Sequence, residues 1–98
     1  MNKLLFTTKS ITEKDGADEP FELEYFIVEN QTVGESINIS TYGIEIIKTT
    51  RCDEIKYTET KTAHGIDTSE AAYRIAKLLS DNTVTPVTLD YAVEDMFY

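Results

Sequence analysis

The stretch FELEYFIVE, residues 21–29, decides the fold because its side chains follow a period of two. An extended backbone places successive side chains on opposite faces, so alternate residues share a face. One face of this stretch is wholly apolar and consists of Phe21, Leu23, Tyr25 and Ile27. The other face carries Glu22, Glu24, Phe26 and Val28. The pattern predicts a β-strand whose apolar face belongs to a core.

Three further stretches with alternating or β-branched residues predict strands before and after this one. The four strands are predicted over residues 3–12, 21–29, 37–50 and 54–61. Between them, the sequence predicts a reversal at Glu13–Pro20, a surface loop at Asn30–Ser36 and a hairpin turn at Arg51–Asp53. Parallel strands need crossovers of about a dozen residues or more, so these short connections predict an antiparallel meander.

Two amphipathic helices are predicted after the strands, and residues 63–66 break the strand alternation before the first of them. Asp67–Glu70 provides an N-cap acceptor with a carboxylate three residues later, and the apolar residues of Ala71–Leu79 recur at spacings of three and four. Pro86 cannot continue this helix because it lacks an amide proton. Thr88 is expected to cap a second, short helix with an apolar stripe over residues 89–97.

These elements predict an α+β fold, a single domain over residues 1–98. A four-stranded antiparallel meander is followed by two C-terminal helices packed on one face, in the order ββββαα. The core is expected to combine the strand residues that face the helices with the apolar stripes of the helices. It should contain Leu4, Phe6, Leu23, Tyr25, Ile27, Tyr42, Ile44, Ile46, Ile55, Tyr57, Ile75, Leu79, Leu89, Val93 and Phe97.

The face of the sheet that points away from the helices carries more large apolar residues than a solvated face needs. This possible interaction face is expected to include Leu5, Ile11, Phe26, Val28, Ile39 and Ile47. A protein partner, or a second copy of the chain in a weak homodimer, is expected to cover it. The alternative is that strand twist, the loop at Asn30–Ser36 and the side chains of Glu22, Glu24 and Glu45 screen this surface within one chain.

The chain is strongly acidic, because nine Lys and Arg against 18 Asp and Glu give a formal net charge of −9. This excess disfavours direct binding of nucleic acid and of membranes, since both are bound through clustered Lys and Arg. Eight of the acids lie between Glu13 and Glu35, where Lys14 is the one base. A solvated acidic surface explains them. The alternative is mimicry of nucleic acid, which would place Glu13, Asp15, Asp18, Glu19, Glu22 and Glu24 in a regular line of charge.

The sequence contains no arrangement of residues typical of catalysis or of cofactor binding. Its single cysteine, Cys52, and its single histidine, His64, are too few for a zinc site. They are also expected at opposite ends of the fourth strand, out of contact as nucleophile and base. The four glycines are isolated, so no phosphate-binding loop is indicated. We therefore expect no catalytic residue, metal or cofactor, and a non-enzymatic interaction or regulatory module.

Six tyrosines provide the basis for a different function. Tyr25, Tyr42 and Tyr57 are expected at inward positions of three adjacent strands, where tyrosine buries its ring and keeps its hydroxyl at the rim of a core. A pocket that combined Tyr42, Tyr57 and His64 would instead indicate a small-ligand binder or an enzyme that uses a tyrosine-lined face.

The sequence also favours a cytoplasmic location. One cysteine cannot form an internal disulfide, and the first residues lack the apolar run of a signal peptide. No apolar stretch approaches the roughly 18 residues that a membrane span needs.

Three stretches resemble a known family. They are LEYFIVE (residues 23–29), YGIEIIK (42–48) and LLSDNTVTPVTLDYAVEDMF (78–97). Together they resemble a small domain of unknown function from clostridia and related Firmicutes. In that family a strand with the YGIEI pattern precedes a helix, an Asn-x-Val-Thr-Pro elbow, here Asn82–Pro86, and a short terminal helix. The resemblance implies a cytosolic bacterial protein of about one domain, and it brings no activity, cofactor or active site with it.

Overall fold

Four antiparallel strands form one sheet in which the order of the strands is their order in the chain. The computed structural model describes residues 2–16, 19–33, 38–52 and 54–97. The strands are β1 (Asn2–Ile11), β2 (Phe21–Val33), β3 (Asn38–Cys52) and β4 (Ile55–Ile66). Each strand pairs antiparallel with the next one, which confirms the predicted meander.

Two helices follow the strands and complete the predicted α+β fold. They are α1 (Ser69–Asp81) and α2 (Leu89–Phe97), and short 3-10 turns span Glu13–Asp15 and Pro86–Thr88. The hydroxyl oxygen of Thr68 accepts a hydrogen bond from the amide of Ala71 at 3.1 Å, so α1 begins where predicted but its N-cap is Thr68, one residue after the expected acceptor Asp67. At the elbow, Thr85 precedes the 3-10 turn, and its amide donates to the hydroxyl of Thr88 at 3.4 Å. Thr88 therefore lies inside this turn, directly before the first residue of α2.

Three strands extend beyond their predicted ends. β2 continues through Asn30–Val33, the first part of the predicted surface loop, while residues 34–36 lie outside the described residues. β3 continues through Arg51 and Cys52, where a hairpin turn was expected, and Asp53 also lies outside the described residues. β4 continues to Ile66, past the break in its alternation. Polar segments can remain in the sheet because the neighbouring strand supplies partners for their backbone hydrogen bonds.

The core lies between the helices and one face of the sheet. Its buried apolar residues are Leu23, Tyr25, Ile27, Ile44, Ile46, Ala72, Ile75, Ala76, Leu79, Val84 and Leu89. This set confirms the predicted core positions in β2, β3 and α1 and at the start of α2. Phe6, Tyr42 and Val93 are half-buried against it. The side chain of Phe97 lies outside the described residues.

Three residues predicted in the core are exposed instead, since Leu4, Ile55 and Tyr57 are 54%, 57% and 55% exposed. Leu4 lies on an edge strand, and the other two lie beyond the reach of the helices. The 15 residues of β3 span about 50 Å, whereas the 13 residues of α1 span about 20 Å. The helices therefore leave the far end of their own face of the sheet uncovered.

A bulge in β1 interrupts the alternation of its side chains. The residues after the bulge therefore lie on the opposite faces of the sheet from those that unbroken alternation predicts. The register with β2 shifts between Leu5 and Thr7, so that Ile11 pairs with Phe21. Phe21 packs against the core, and Ile11 therefore lies on the face that carries the helices. The prediction that Ile11 lies on the opposite face is wrong, because the strand was assumed to alternate without interruption.

The same bulge turns Lys9 towards the end of α1. Its ammonium donates to the carbonyl oxygen of Ser80 and to the hydroxyl of Thr83, each at 2.8 Å. The last carbonyls of a helix have no partner within the helix and carry a partial negative charge. Lys9 therefore ties β1 to the C-terminal end of α1.

Tyr25 is a buried side chain that is anchored at its hydroxyl. It is inaccessible to solvent, and its hydroxyl donates to the carbonyl oxygen of Val84 at 2.8 Å. Burial raises the pKa of Tyr25 from 10.0 to about 12. The phenol thus stays neutral and holds the chain beyond α1 against the sheet.

We expect the stability of the protein to fall at alkaline pH through Tyr25. The folded chain holds this proton more tightly than the unfolded chain, so the contribution is complete below about pH 10 and is lost as the pH rises towards about 12. Urea unfolding of the wild type and of Tyr25→Phe, at about pH 9 and about pH 11, measures the effect. At the lower pH the substitution should cost about 1–2 kcal/mol, through the lost hydrogen bond. At the higher pH the difference should shrink by about 1 kcal/mol, and an unchanged difference would contradict this account.

Candidate interaction face

The open face is the side of the sheet that carries no helix, and strand register shows which residues lie on it. In β2 these are the even-numbered residues from 22 to 30, because the odd-numbered ones face the core. Phe26 lies between Leu5 of β1 and Glu45 of β3. Val28 lies one step further along, between Lys3 and Gly43.

A charged cluster lies over the middle of the open face. The ammonium of Lys3 stands 4.2 Å from the centre of the Phe26 ring, at a distance typical of cation–π attraction. It also contacts the buried Oε1 of Glu45. The other carboxylate oxygen, Oε2, accepts a hydrogen bond from the hydroxyl of Thr62 at 3.1 Å. Three strands are thus joined through Glu45, whose side chain is only 15% exposed.

A second contact lies further along the open face, between β2 and β4. The side-chain nitrogen Nδ2 of Asn30 lies 3.4 Å from Nδ1 of His64. The pairing of β3 with β4 is irregular around Gly43, and this irregularity lets the two strands approach closely. A Cβ atom on Gly43 would lie 2.6 Å from the carbonyl oxygen of Ala63 and 3.3 Å from Nδ1 of His64. Only glycine permits this approach.

Five of the six residues predicted on this face do lie there, with Ile11 the exception. Leu5 and Ile39 are 48% and 52% exposed, whereas Val28 is buried. Phe26 and Ile47 are half-buried. The contacts of Lys3 and Glu45 therefore screen the centre of the face, while apolar surface stays accessible around it.

The open face is electrically neutral, although the chain carries a net charge of −9. Its described charged residues are three bases and three acids, Lys3, Arg51, Lys56, Glu22, Glu24 and Glu45. Among the residues that the structure describes, the acidic excess therefore lies on other surfaces. A protein that is itself acidic can approach the open face without the like-charge repulsion that it would meet elsewhere.

The tyrosines do not share one surface. Tyr25 is in the core, whereas Tyr57 and Tyr91 are 55% and 72% exposed. Tyr98 lies outside the described residues. The predicted tyrosine-lined face is therefore divided between the core and separate exposed positions.

Tyr42 and His64 line different clefts. Tyr42 and Tyr73 border a cleft of about 520 Å³ beside β1, and His64 borders one of about 420 Å³ between β4 and the helices. Tyr57 lines neither of these clefts. Neither cleft therefore brings together Tyr42, Tyr57 and His64, the three residues whose combination would indicate a ligand pocket.

Cys52 and His64 lie near opposite ends of β4. Cys52 pairs with Ile55 at the start of the strand, and His64 lies about 30 Å further along it. This separation is too large for a nucleophile and its base. Among the residues that the structure describes, no group of three or more His, Cys, Asp or Glu is placed to hold a metal ion.

The sequence matches DUF6514, a family of unknown function, over residues 2–98. The chain belongs to the DUF6514 family. This match confirms the expected membership in a family of unknown function. No curated protein and no solved structure matches this DUF6514 chain at a significant level. Within its described residues, no helix combines the length and the apolar character needed to cross a membrane.

The acidic residues near the first turn of the DUF6514 chain are divided between two environments. Glu13 and Asp15 lie in a 3-10 turn, where the Asp15 carboxylate accepts a hydrogen bond from the amide of Thr12 at 2.9 Å. Glu22 and Glu24 lie on the open face of β2. Asp18, the third acid of the expected line of charge, lies outside the described residues.

The contacts of Lys3 and Thr62 in this DUF6514 protein were not predicted from the sequence. The available signal was Glu45, an acid between two isoleucines in the stretch YGIEI, which needs a cation or a donor if it is partly buried. Its partners lie 42 and 17 residues away in the sequence, so they emerge only when the register of three strands is known.

Proposed function

We propose that this DUF6514 protein is a non-enzymatic module that binds a protein partner through the open face. The observation that carries the proposal is a neutral and partly apolar sheet face in a chain of net charge −9. Nucleic acids and anionic lipids are poor candidates for the partner, because both require an excess of Lys and Arg. A regulatory role in the cytoplasm is consistent with these properties and with a single cysteine.

The central contacts prepare the open face for binding. Phe26 is held under the Lys3 ammonium, and Lys3 is held by Glu45. A partner therefore meets an ordered surface, and fewer side chains lose freedom when it binds. Leu5, which is exposed, and Ile47, which is half-buried, lie on either side of this ordered centre and provide apolar contact.

The expected affinity is modest. Burial of several hundred Å² of apolar surface, at about 25 cal/mol per Å², contributes on the order of 10 kcal/mol. Lost translational and rotational freedom and the ordering of side chains offset most of this contribution. The complex is therefore expected to form and dissociate readily, as a regulatory complex must.

Affinity capture with matched variants tests the proposal. Leu5→Asp and Ile47→Asp introduce a carboxylate on the open face, where desolvation should weaken binding at least tenfold, which is about 1.4 kcal/mol or more. The control is Leu78→Asp on α1, because Leu78 is 43% exposed and Leu5 is 48% exposed. Each tagged variant is compared with the wild type in lysate of the cells that produce the protein, after circular dichroism has shown that it folds.

A protein that the wild type and Leu78→Asp retain, and that both open-face variants lose, is the expected result. Equal retention by all four proteins would contradict the proposal. Loss from Leu78→Asp alone would also contradict it, because the binding surface would then include α1 rather than the open face.

A further inference from the structure

The two edges of the sheet differ in a way that concerns assembly. β1 and β4 are the edge strands, and β1 is interrupted by the bulge after Leu5. β4 pairs with β3 without a shift from Ile55 to Ala63. The free side of an edge strand presents unpaired amide and carbonyl groups, and a bulge reduces its capacity to accept another strand. β4 is therefore the edge that remains open to pairing.

We propose that a second copy of the chain pairs with this edge, β4 against β4, antiparallel about a two-fold axis at Thr60. Two-fold symmetry requires a surface that is complementary to itself. Residues at equal distances before and after the axis must therefore form favourable pairs. The stretch from Tyr57 to Ala63 meets this condition.

The charges of β4 are complementary in this register. A two-fold axis at Thr60 places Glu59 of each copy opposite Lys61 of the other, on the face that carries the helices. Thr58 of each copy then lies opposite Thr62 of the other, on the open face. Directly opposed pairs of opposite charge, and pairs of threonines, are both favourable across antiparallel strands. Lys61 already lies 3.3 Å from Asp90, so it would join two carboxylates from different copies.

The proposed dimer also explains why Ile55 and Tyr57 are exposed in the isolated chain. Both residues lie on the helix-bearing face, over the half of β4 that α2 does not cover. The contact of Asp90 with Lys61, and the position of Val93 beside residues 63–68, place α2 over the other half.

The two-fold axis brings the uncovered half of β4 in one copy beside the covered half in the other. The start of α2 in the second copy then reaches the uncovered half. Val87 and Tyr91, at the elbow and on the first turn of α2, are 73% and 72% exposed and supply apolar surface there. In this arrangement the two α2 helices lie on opposite sides of the axis along the strand direction.

This proposal does not rest on the proposed function, because it uses a different surface. The edge of β4 is distinct from the open face, and Leu5 lies on the far strand of the sheet. Failure of one proposal therefore leaves the other intact.

Charge reversal within β4 tests the proposed pairing. Glu59→Lys places lysines opposite each other in both cross-strand pairs of a homodimer, and Lys61→Glu does the same with carboxylates. Each variant alone should dissociate at least about tenfold more readily than the wild type. An equimolar mixture of the two restores both opposite-charge pairs in a heterodimer. Sedimentation equilibrium from micromolar to near-millimolar concentration provides the masses.

The matched controls are Glu13→Lys and Lys14→Glu, which make the same charge changes at exposed positions in the turn after β1. We expect a dimer for the wild type and both controls, weaker association for each β4 variant, and recovery of the dimer in the mixture. A monomeric wild type at every concentration overturns the proposal. Variants that associate as strongly as the controls, or a mixture that does not recover, overturn the register at Thr60.

Discussion

Leu79→Ala is expected to lower the free energy of unfolding by about 2–5 kcal/mol. Leu79 lies on α1, is inaccessible to solvent and belongs to the core between that helix and the sheet. Its truncation removes apolar contact and leaves a cavity that a packed interior cannot refill. For a chain of this length, each kcal/mol corresponds to a loss of about 4–8 °C in melting temperature.

The neighbouring residue provides the control. Leu78 has the same side chain but is 43% exposed, so Leu78→Ala should cost less than about 1 kcal/mol. Thermal and urea unfolding of both variants measure the difference. Equal losses would contradict the assignment of the core face of α1.

Gly43→Ala is expected to lower the free energy of unfolding by about 1–3 kcal/mol, the range for overpacking. Alanine in place of glycine within a strand ordinarily stabilises by about 0.5–1 kcal/mol, so the expected sign is reversed. The reason is the carbonyl oxygen of Ala63, which would lie 2.6 Å from the new Cβ atom. That atom is part of the backbone, and relief of the clash must separate β3 from β4.

Thr41→Ala serves as the control, because Thr41 lies two residues earlier on the same face of the same strand. Urea unfolding gives the two free energies, and amide hydrogen exchange locates the effect. We expect faster exchange over residues 63–66 in Gly43→Ala and little change in Thr41→Ala. A Gly43→Ala protein as stable as the wild type would show that the two strands are not in close contact at this point.

The parts of the fold that follow from local pattern were predictable from the sequence. The alternation of residues 21–29 placed Leu23, Tyr25 and Ile27 in the core correctly, because a strand with one buried face must have a period of two. The start of α1 was also predicted to within one residue, since capping depends on residues only three positions apart, although the N-cap is Thr68 rather than Asp67.

The parts that depend on distant partners were not predictable. The bulge after Leu5 is a property of the pairing between β1 and β2, and it moved Ile11 to the helix-bearing face. Ile55 and Tyr57 have the alternation of core residues, but burial also requires a helix that reaches them. Asn30 and its neighbours are polar and yet continue β2, because β3 is long enough to pair with them.

The same distinction applies to the candidate site. Period two was sufficient to place Leu5, Phe26 and Ile47 on one face, as the register confirms. The contact of Lys3 with Glu45 required the register of three strands. The net charge of the open face likewise could not be predicted, because it depends on which face of the sheet each charged side chain occupies.

The two proposed surfaces are compatible. Pairing about an axis perpendicular to the sheet keeps the open faces of both copies on the same side. The dimer would then present one continuous sheet of eight strands with two binding surfaces. A bivalent partner would gain avidity from this arrangement, which can compensate for a modest affinity at each surface.

Site-specific photo-crosslinking in the producing cells tests the central claim, that the open face binds a protein partner, most directly. A photoreactive phenylalanine analogue is placed at Leu5 or at Ile47, and at Leu78 on α1 as the control. The account predicts a discrete crosslinked product with a different protein from both open-face positions, and none from Leu78. The same product from Leu78, or no product from Leu5 and Ile47, would contradict it.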